Sequence, residues 1–600
     1  MSSIYKDICS STVIRPTQFQ VKLIHSALLF GIASALWISG KDVISSLVAL
    51  SSPRRTRRRK RVIKLENWIE FQRACSMRAL TAAFGPHGFN ATGVSAGIMI
   101  ASPSRPGSYH DPKTENENYY FNWTRDSALC LRVLLRRLDE IELGIDDYQA
   151  EEDLIDRLET IVNQFIVANS SIQLDLNPSG GPHDGGLGEP KFQIDGSRFD
   201  SPWGRPQNDG PAIRASTLIR YAKHLILDRE RPQTGLGWIK ASKLYDAADS
   251  NSQIILDIEH VRRTWRQPTF DLWEEVKADN GGHFYTLMVQ RRSIQDYFDF
   301  IDLLPSESRP STENIQSFRG CLEEMDFRLE EFWNPEGLPN REGGPDSDAA
   351  GLVGLHPNFS HQAHIVPTLE RIQGQAKPSQ VDSSVLLAII HTVGPNQPEK
   401  WSPASDRALS TLDRLVRVFE KLYPINNLKS GMGIAIGRYP EDEYDGIVGN
   451  SIGHPWFLCT HATAEMVYLA INQIQKNQKT IKINKTNRSF FSRFLKNKRS
   501  ERSDKSYDDQ DDFLVGEKEL GSGFDIERGD PRFRVILREM KVWADEFLIQ
   551  VSQRFSDNTN GSMSEQINRF NGKMRGAREL TWSYASFLTA TDARQGKAPN

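Results

Sequence analysis

Two glutamate-bearing segments, far apart in the chain, carry residue types that could hydrolyse a glycosidic bond. The first is Phe-Asp-Leu-Trp-Glu-Glu-Val at 270–276, and the second is Gly-Ser-Met-Ser-Glu-Gln at 561–566. Glycoside hydrolysis needs one carboxyl group that protonates the leaving oxygen and a second that activates water or attacks the sugar. If the fold brings Glu274 and Glu565 into one pocket, this pair could do that chemistry.

The flank of the first segment is unusual for exposed glutamates. Adjacent acidic residues such as Glu274 and Glu275 mostly lie on solvated helix surfaces. Here Asp271 and Trp273 stand beside them, and an indole ring that removes water from a carboxyl group raises its pKa toward that of a general acid. Because neighbouring side chains point in different directions, we expect at most one of the two glutamates to be that acid.

Aromatic residues recur beside charged residues in five other short segments. Arg and Asp offer fixed donors and acceptors to sugar hydroxyls, and aromatic rings pack on apolar surfaces. One segment alone permits a simpler interpretation, in which Arg125 and Asp126 form an ion pair at a helix start. Together with the segment of Glu274, however, the set holds five of the 12 Trp, which favours a saccharide site. The five segments are residues 119–126, 203–211, 437–444, 454–457 and 580–584.

Composition excludes several classes of function. The 600 residues are 38% hydrophobic, enough for a sizeable core, and a formal net charge of −3 leaves no basic excess for nucleic acid. The five cysteines show no CxxC spacing, so neither a disulfide framework nor a zinc site is predicted. No cofactor is expected, and buried free thiols are the ordinary interpretation of Cys130 and Cys459.

Apolar residues recur at helical spacing along most of the chain after residue 62. About ten such runs and few alternating strands predict an all-α array of helical hairpins. Because the chemistry-bearing segments fall between helices, we expect them on one face of the array. The helical runs are 131–138, 154–166, 218–226, 284–303, 313–333, 380–392, 405–422, 456–474, 533–553 and 578–590.

The N-terminal region carries possible targeting signals. A mostly apolar run at 23–40 is typical of a signal peptide or of an uncleaved signal anchor. The basic run at 57–61 resembles a site for a protease that cuts after Lys-Arg, although the same charges fit the cytosolic flank of an anchor. Sequons along the chain favour a secretory route, and membrane association stays open if the apolar run is retained. They include Asn90, Asn169, Asn358, Asn484, Asn487 and Asn560.

These features divide the chain into two parts. Residues 1–61 are interpreted as a signal peptide or anchor with a basic propeptide-like segment, and residues 62–600 as one catalytic domain. Two polar stretches, 105–118 and 495–530, are predicted to be insertions, the second a charged mobile loop. No separate C-terminal domain is predicted, and we expect a monomer.

Seven motifs, in chain order from about residue 65 to residue 592, resemble the fungal-type glucoamylases of glycoside hydrolase family fifteen. The resemblance implies an (α/α)6 barrel and an α-glucan substrate. It also implies exo-acting hydrolysis that releases β-glucose from non-reducing ends, at α-1,4 bonds and more slowly at α-1,6 bonds. The motifs are Tyr-Tyr-Phe-Asn-Trp-Thr-Arg-Asp at 119–126, Gly-Leu-Gly-Glu-Pro-Lys-Phe at 186–192, Trp-Gly-Arg-Pro-Gln-Asn-Asp-Gly-Pro at 203–211, Asp-Leu-Trp-Glu-Glu-Val at 271–276, Gly-Arg-Tyr-Pro-Glu-Asp at 437–442, Gly-Ser-Met-Ser-Glu-Gln at 561–566 and Leu-Thr-Trp-Ser-Tyr at 580–584.

The same resemblance implies roles for individual residues. Glu274 would protonate the glycosidic oxygen while Glu565 activates water on the opposite ring face, which is inverting chemistry with the carboxyl groups roughly 6.5–9.5 Å apart. Asp271 joins the catalytic set as a supporting carboxylate that orients or tunes its neighbours. The implied sugar-site residues are Tyr119, Trp123, Arg125, Asp126, Trp203, Arg205, Glu275, Arg438, Asp442, Tyr444, Trp456 and Trp582.

Two departures from the family pattern leave alternatives open. Most disulfide cysteines of secreted members are missing, so a vacuolar location stands beside secretion. The starch-binding domain of many members is also missing, so soluble dextrins or glycogen are expected rather than granules. Three other functions remain: a trehalase-like or other α-glucosidase on the same barrel, a non-catalytic glucan-binding module, and a membrane-anchored scaffold. Both glutamates are present, which argues against the non-catalytic module.

Overall fold

Helices dominate the computed structural model of this protein. Eleven strands of two to four residues accompany them, all in connections between helices. The structure describes residues 53–108, 118–142, 152–227, 232–337, 362–427, 433–477, 480–495, 523–549 and 560–597.

The described ranges contain fourteen α-helices, more than the ten or so predicted from periodicity. The additional helices are mostly short, where a periodic pattern has few residues in which to show itself. They are α1 Pro53–Ala82, α2 Thr124–Glu142, α3 Glu152–Leu174, α4 Asp209–Leu227, α5 Pro232–Ala241, α6 Gln253–Thr264, α7 Phe284–Ile301, α8 Thr312–Glu330, α9 Ser384–His391, α10 Asp406–Leu422, α11 Phe457–Asn477, α12 Arg488–Leu495, α13 Pro531–Glu546 and α14 Thr581–Arg594.

Six of these helices close a ring. In the order α2, α4, α7, α9, α11 and α14, each packs on the next, and α14 packs back on α2. Seven consecutive residues of α9, Ser384–Ile390, are buried, and α14 is buried along most of its length, as expected for helices enclosed on all sides. Helices α1, α3, α6, α8, α10 and α13 alternate with them in the chain and are not members of the ring. The predicted (α/α)6 barrel is confirmed.

Ion pairs tie outer helices to the inner ring. Arg214 of α4 forms a bidentate pair with Asp257 of α6, at 2.9 and 2.6 Å, and both side chains are almost fully buried. Arg73 of α1 lies 2.7 Å from Asp592 of α14. Such buried pairs fix the rotation of one helix against another, because a buried charge left without its partner is strongly destabilising.

Short antiparallel ladders stiffen the connections that lead into the inner helices. All named pairs are antiparallel, and the candidate site segments enter the N-terminal ends of inner helices, at one end of the ring. The strands are β1 Asn122–Trp123, β2 Lys191–Phe192, β3 Thr269–Phe270, β4 Lys277–Ala278, β5 Trp333–Asn334, β6 His364–Ile365, β7 Arg371–Gln373, β8 Thr480–Ile483, β9 Phe524–Glu527, β10 Gln566–Ile567 and β11 Met574–Arg575.

The prediction of a mobile loop at 495–530 is wrong for its last part. Strand β9 pairs with β8, Ile526 facing Ile481, and both side chains are buried. An apolar side chain alternates there with acidic ones, which is a strand pattern that the surrounding charge obscures. Residues 496–522 lie outside the described part of the chain.

Two of the predicted sequons cannot carry a glycan in this fold. Asn169 and Asn487 are 5% and 4% exposed, and their side-chain amides donate to the carbonyl oxygens of Phe165 and Lys482. Asn90 and Asn560 are more accessible, whereas Asn358 lies outside the described residues. The secretory route therefore rests on fewer acceptors than the sequence indicates.

The described part of the chain holds four of the five cysteines. Cys75, Cys130, Cys321 and Cys459 are free and buried, and Cys9 is not among the described residues. Among the helices that the structure describes, none is long and apolar enough to cross a membrane. The run at 23–40 lies outside them.

Candidate active site

The connections that enter the inner helices surround one cavity of about 660 Å³. It brings together Glu274 and Glu565, which are 291 positions apart in the sequence. Of the fifteen residues singled out from sequence, three do not line the cavity: Asp271, Arg205 and Asp442. The twelve that do are Glu274, Glu565, Tyr119, Trp123, Arg125, Asp126, Trp203, Glu275, Arg438, Tyr444, Trp456 and Trp582.

Glu274 is held by one donor from helix α2 and one from a loop. A guanidinium nitrogen of Arg125 lies 3.1 Å from its Oε1, and the indole Nε1 of Trp203 donates to its Oε2. Its side chain is 18% exposed, which leaves it accessible from the cavity. Its backbone has a φ of 71°, a left-handed conformation that costs a non-glycine residue on the order of 1–3 kcal/mol.

Asp271 stabilises the turn that carries Glu274. One carboxylate oxygen of Asp271 accepts the backbone N–H groups of Glu275 and Val276, at 3.0 and 3.1 Å. The other oxygen lies 3.2 Å from the ammonium group of Lys377. Although burial opposes it, this positive charge holds the pKa of Asp271 below its ordinary value, with help from the backbone donors. Asp271 is thus an ionised support of the turn.

Glu565 has a different environment. It is 1% exposed, and the phenol of Tyr119 donates to its Oε1 at 2.7 Å. The phenol of Tyr444 lies 3.4 Å from Oε2 and 2.7 Å from the Tyr119 oxygen. Burial, reinforced by Glu565, raises the pKa of Tyr119 well above its ordinary value, so this phenol stays a donor.

A glycine makes room for this carboxylate. Gly576 follows strand β11, with a φ of +70°, and a Cβ built there would overlap Oε2 of Glu565. The hairpin of β10 and β11 brings residue 576 back beside the glutamate, whose backbone N–H donates to the carbonyl of Ala577 at 2.8 Å. A side chain at this position would displace the carboxylate.

Arg125 connects three site elements. It lies in the first turn of α2, 3.2 Å from Asp209 at the start of α4, and it donates to Gln207 at 2.9 Å. Its remaining terminal nitrogen reaches Glu274. Burial raises the pKa of the neighbouring Asp126 to about 6, against the lowering effect of Arg125.

A second arginine, Arg438, organises another part of the cavity wall. Arg438 forms a bidentate pair with Asp442, at 2.9 and 2.7 Å, and lies 2.8 Å from Oε1 of Glu275. Its guanidinium is within 5.4 Å of the rings of Tyr444 and Trp456. Asp442 therefore holds Arg438 in place from behind the cavity wall.

Arg205 is likewise behind the wall. Its Nε lies 2.9 Å from a carboxylate oxygen of Glu189, and its terminal nitrogens donate to the backbone carbonyls of Phe199 and Ser201. With its donors engaged in this way, it braces the loop that carries Trp203.

Sequence reasoning missed a lysine inside an aromatic box. The ammonium group of Lys191 lies 3.6 Å from the ring centre of Trp203 and 4.3–4.5 Å from those of Phe121, Trp123 and Phe199. Pairing of β1 with β2 places Trp123 opposite Lys191. The motif at 186–192 was the available signal, but it did not indicate the box, because two-residue strands leave no periodic pattern.

The box should shift the titration of this lysine. Burial lowers the pKa of Lys191 from 10.5 to about 8, although Glu274 opposes the shift. Between pH 8 and 10.5 the unfolded chain binds the proton that the folded chain has lost, so this group contributes increasing stability as pH rises through that window. In protein labelled with ¹³C at lysine Cε, we expect one signal with a midpoint near pH 8 that disappears in Lys191→Arg. A midpoint near 10.5 for every lysine would contradict this.

Several known proteins resemble this chain in sequence and in fold. The family profile of Glycosyl hydrolases family 15 matches residues 75–592. A Schizosaccharomyces pombe protein named as a probable glucoamylase is 30% identical over 557 residues, which are 92% of this chain and 97% of that protein.

Solved structures agree. The family 15 glucoamylase of Hypocrea jecorina is 29% identical, with a TM-score of 0.69, over 89% of this chain and 73% of that one. The glucoamylase of Saccharomycopsis fibuligera is 26% identical, with a TM-score of 0.64, over 88% and 95% of the two chains. This chain is a glycoside hydrolase and belongs to glycosyl hydrolases family 15.

Proposed function

We propose that this enzyme removes glucose from the non-reducing ends of α-glucans by inverting hydrolysis, with Glu274 as general acid and Glu565 as general base. The observation that carries the proposal is that both glutamates line one cavity but are held by different partners. Its α-1,4 activity exceeds its α-1,6 activity, in keeping with the family. Retention of both carboxyl groups argues against a non-catalytic glucan-binding module.

The division of roles follows from the surroundings of the two carboxyl groups. Glu274 protonates the glycosidic oxygen from the side of Trp203, where its carboxyl is accessible. Glu565, fixed by the phenols of Tyr119 and Tyr444, takes a proton from water that attacks the opposite face of the sugar ring. Inversion requires the carboxyl groups to be roughly 6.5–9.5 Å apart, which admits that water.

Charged and aromatic side chains hold the terminal glucose between these groups. The indole N–H groups of Trp123 and Trp456 are buried and have no acceptor among the described residues, so they are free to donate to sugar hydroxyls. Arg125 and Asp126 contribute charged partners. The ring centre of Trp582 lies 5.8 Å from the guanidinium carbon of Arg125. The remaining cavity residues in this role are Tyr119, Trp203, Glu275, Arg438 and Tyr444.

The three residues behind the wall act indirectly. Asp271 supports the turn of Glu274, Asp442 holds Arg438, and Arg205 braces the loop of Trp203. We infer that none of them contacts the sugar, so their replacement changes the position of a neighbour and removes no substrate hydrogen bond.

We also propose a cellular route and a substrate size for this enzyme. Residues 62–600 form the catalytic domain of a monomer that enters the secretory route through residues 1–61 and acts on soluble dextrins or glycogen. N-terminal sequencing of the protein from its native cell distinguishes cleavage after Arg61 from a retained anchor.

Hydrolysis products test the reaction class. We expect maltotriose to be cleaved to glucose and maltose, with the new glucose appearing first as the β-anomer in ¹H NMR, because water attacks the face opposite the leaving group. Trehalose, assayed in parallel, should be a poor substrate. Cleavage of trehalose without cleavage of maltotriose would replace this assignment with a trehalase-like one.

Removing the base separates catalysis from binding. Glu565→Gln keeps the shape of the side chain and should lower kcat on maltose by about 10²–10⁴-fold, the usual contribution of a general base. Binding of a glucose-site inhibitor, measured by calorimetry, should persist. Glu443→Gln, at an exposed glutamate near the cavity, is the matched control and should be neutral. Full activity in Glu565→Gln would reject the role of this residue.

A further inference from the structure

We propose that Lys377 is a positioning residue for the general acid: its ammonium group fixes Asp271, and through Asp271 the turn that holds Glu274. This inference rests on the proposed role of Glu274. It begins with an observation that neither the acid nor the sugar site explains, a lysine whose side chain is 5% exposed and lies beside two buried carboxylates.

The contacts of Lys377 join two site elements. Its Nζ lies 3.2 Å from Oδ2 of Asp271 and 2.6 Å from Oδ2 of Asp382. It also lies 3.8 Å from the ring centre of Tyr439, whose phenol donates to Glu275. Burial would lower the pKa of Lys377, but the carboxylates of Asp382 and Asp271 raise it above its ordinary value. The lysine therefore carries its positive charge.

Asp382 is the second carboxylate that holds Lys377. Its Oδ1 accepts the indole N–H of Trp273 at 2.9 Å and the backbone N–H of Ser384 at 2.8 Å, where α9 begins. The lysine therefore connects the turn of the acid to the N-terminal end of an inner helix. Helices of a packed ring move less than a surface loop, so the connection limits the movement of the turn.

The turn needs such support because of its backbone. Glu274 has a φ of 71°, and a conformation of this kind persists only where the surroundings enforce it. Asp271 supplies that enforcement through the N–H groups of the two residues after Glu274. Without Lys377, Asp271 would keep those donors but lose its nearest positive charge, and its side chain could rotate toward other partners.

The test compares two leaving groups on the full-length enzyme. Maltose needs its glycosidic oxygen protonated as the C1–O bond breaks, whereas α-glucosyl fluoride releases fluoride, which needs much less protonation. In both reactions water forms the new bond to C1 and Glu565 takes its proton. Misplacement of the acid therefore lowers the rate on maltose selectively, whereas general damage to the fold lowers both rates.

We expect Lys377→Met to lower kcat on maltose on the order of 10²-fold, the loss that an ångström-scale misplacement produces, with a much smaller loss on α-glucosyl fluoride. Asp382→Asn keeps the shape of this side chain and removes its charge, and it should show the same selectivity with a smaller loss. Arg493→Met, which removes one charge from the buried pair with Asp413 away from the cavity, is the matched control and should leave the ratio of the two rates unchanged.

The outcomes separate this inference from the proposed function. If Glu274→Gln shows selective loss on maltose but Lys377→Met and Asp382→Asn lose both activities equally, or neither, the positioning role is overturned. If Glu274→Gln itself shows no selective loss, the assignment of the acid fails. Far-ultraviolet circular dichroism of each variant checks that the barrel has formed, and Asp382→Asn decides the matter if Lys377→Met does not fold.

Discussion

The active site depends on a backbone conformation that its own residue disfavours. Glu274 has a φ of 71°, and the cost of about 1–3 kcal/mol must be offset by contacts around the turn. Asp271 binds the two following N–H groups. On the far side, Gly374, with a φ of +87°, packs against the carbonyl of Glu275, where a Cβ would overlap the oxygen. The turn is therefore fixed on two sides before any substrate arrives.

The ring of helices fixes the position of the residues that contact this turn. Inner helices present their N-terminal ends to the cavity, where unpaired N–H groups and the helix dipole favour anions. Asp126 and Asp209 lie in the first turns of α2 and α4, and Arg125 bridges them to Glu274. Charges that would be costly alone in a buried site are thereby paired with one another across different helices. Site geometry and barrel packing are consequently coupled.

Sequence predicts much of this arrangement, and the limits have physical reasons. The run from Leu131 to Leu138 predicts α2 because a long amphipathic helix repeats its signal. The two glutamates can be identified from sequence motifs, since their chemistry requires particular residue types. The roles of Lys191 and Lys377 cannot be predicted in this way, because they depend on contacts between loops that are distant in sequence. Arg205 shows the converse: a charged residue beside a site in sequence can point behind its wall.

The two glutamates differ in the way a division of labour requires. The phenols of Tyr119 and Tyr444 lie beside the carboxylate of Glu565 and fix its direction. Glu274 is reached by a cation and by an indole N–H, and it lies in a turn whose other carboxylate, Asp271, is kept ionised by Lys377. Arg125 binds Asp209 and Gln207 as well, so its contact with Glu274 is one of several. A sugar that draws Arg125 toward its own hydroxyls would weaken that contact without breaking the other two. Substrate binding would then reorient the proposed acid, Glu274, whereas the proposed base, Glu565, is held by the two phenols before the substrate arrives.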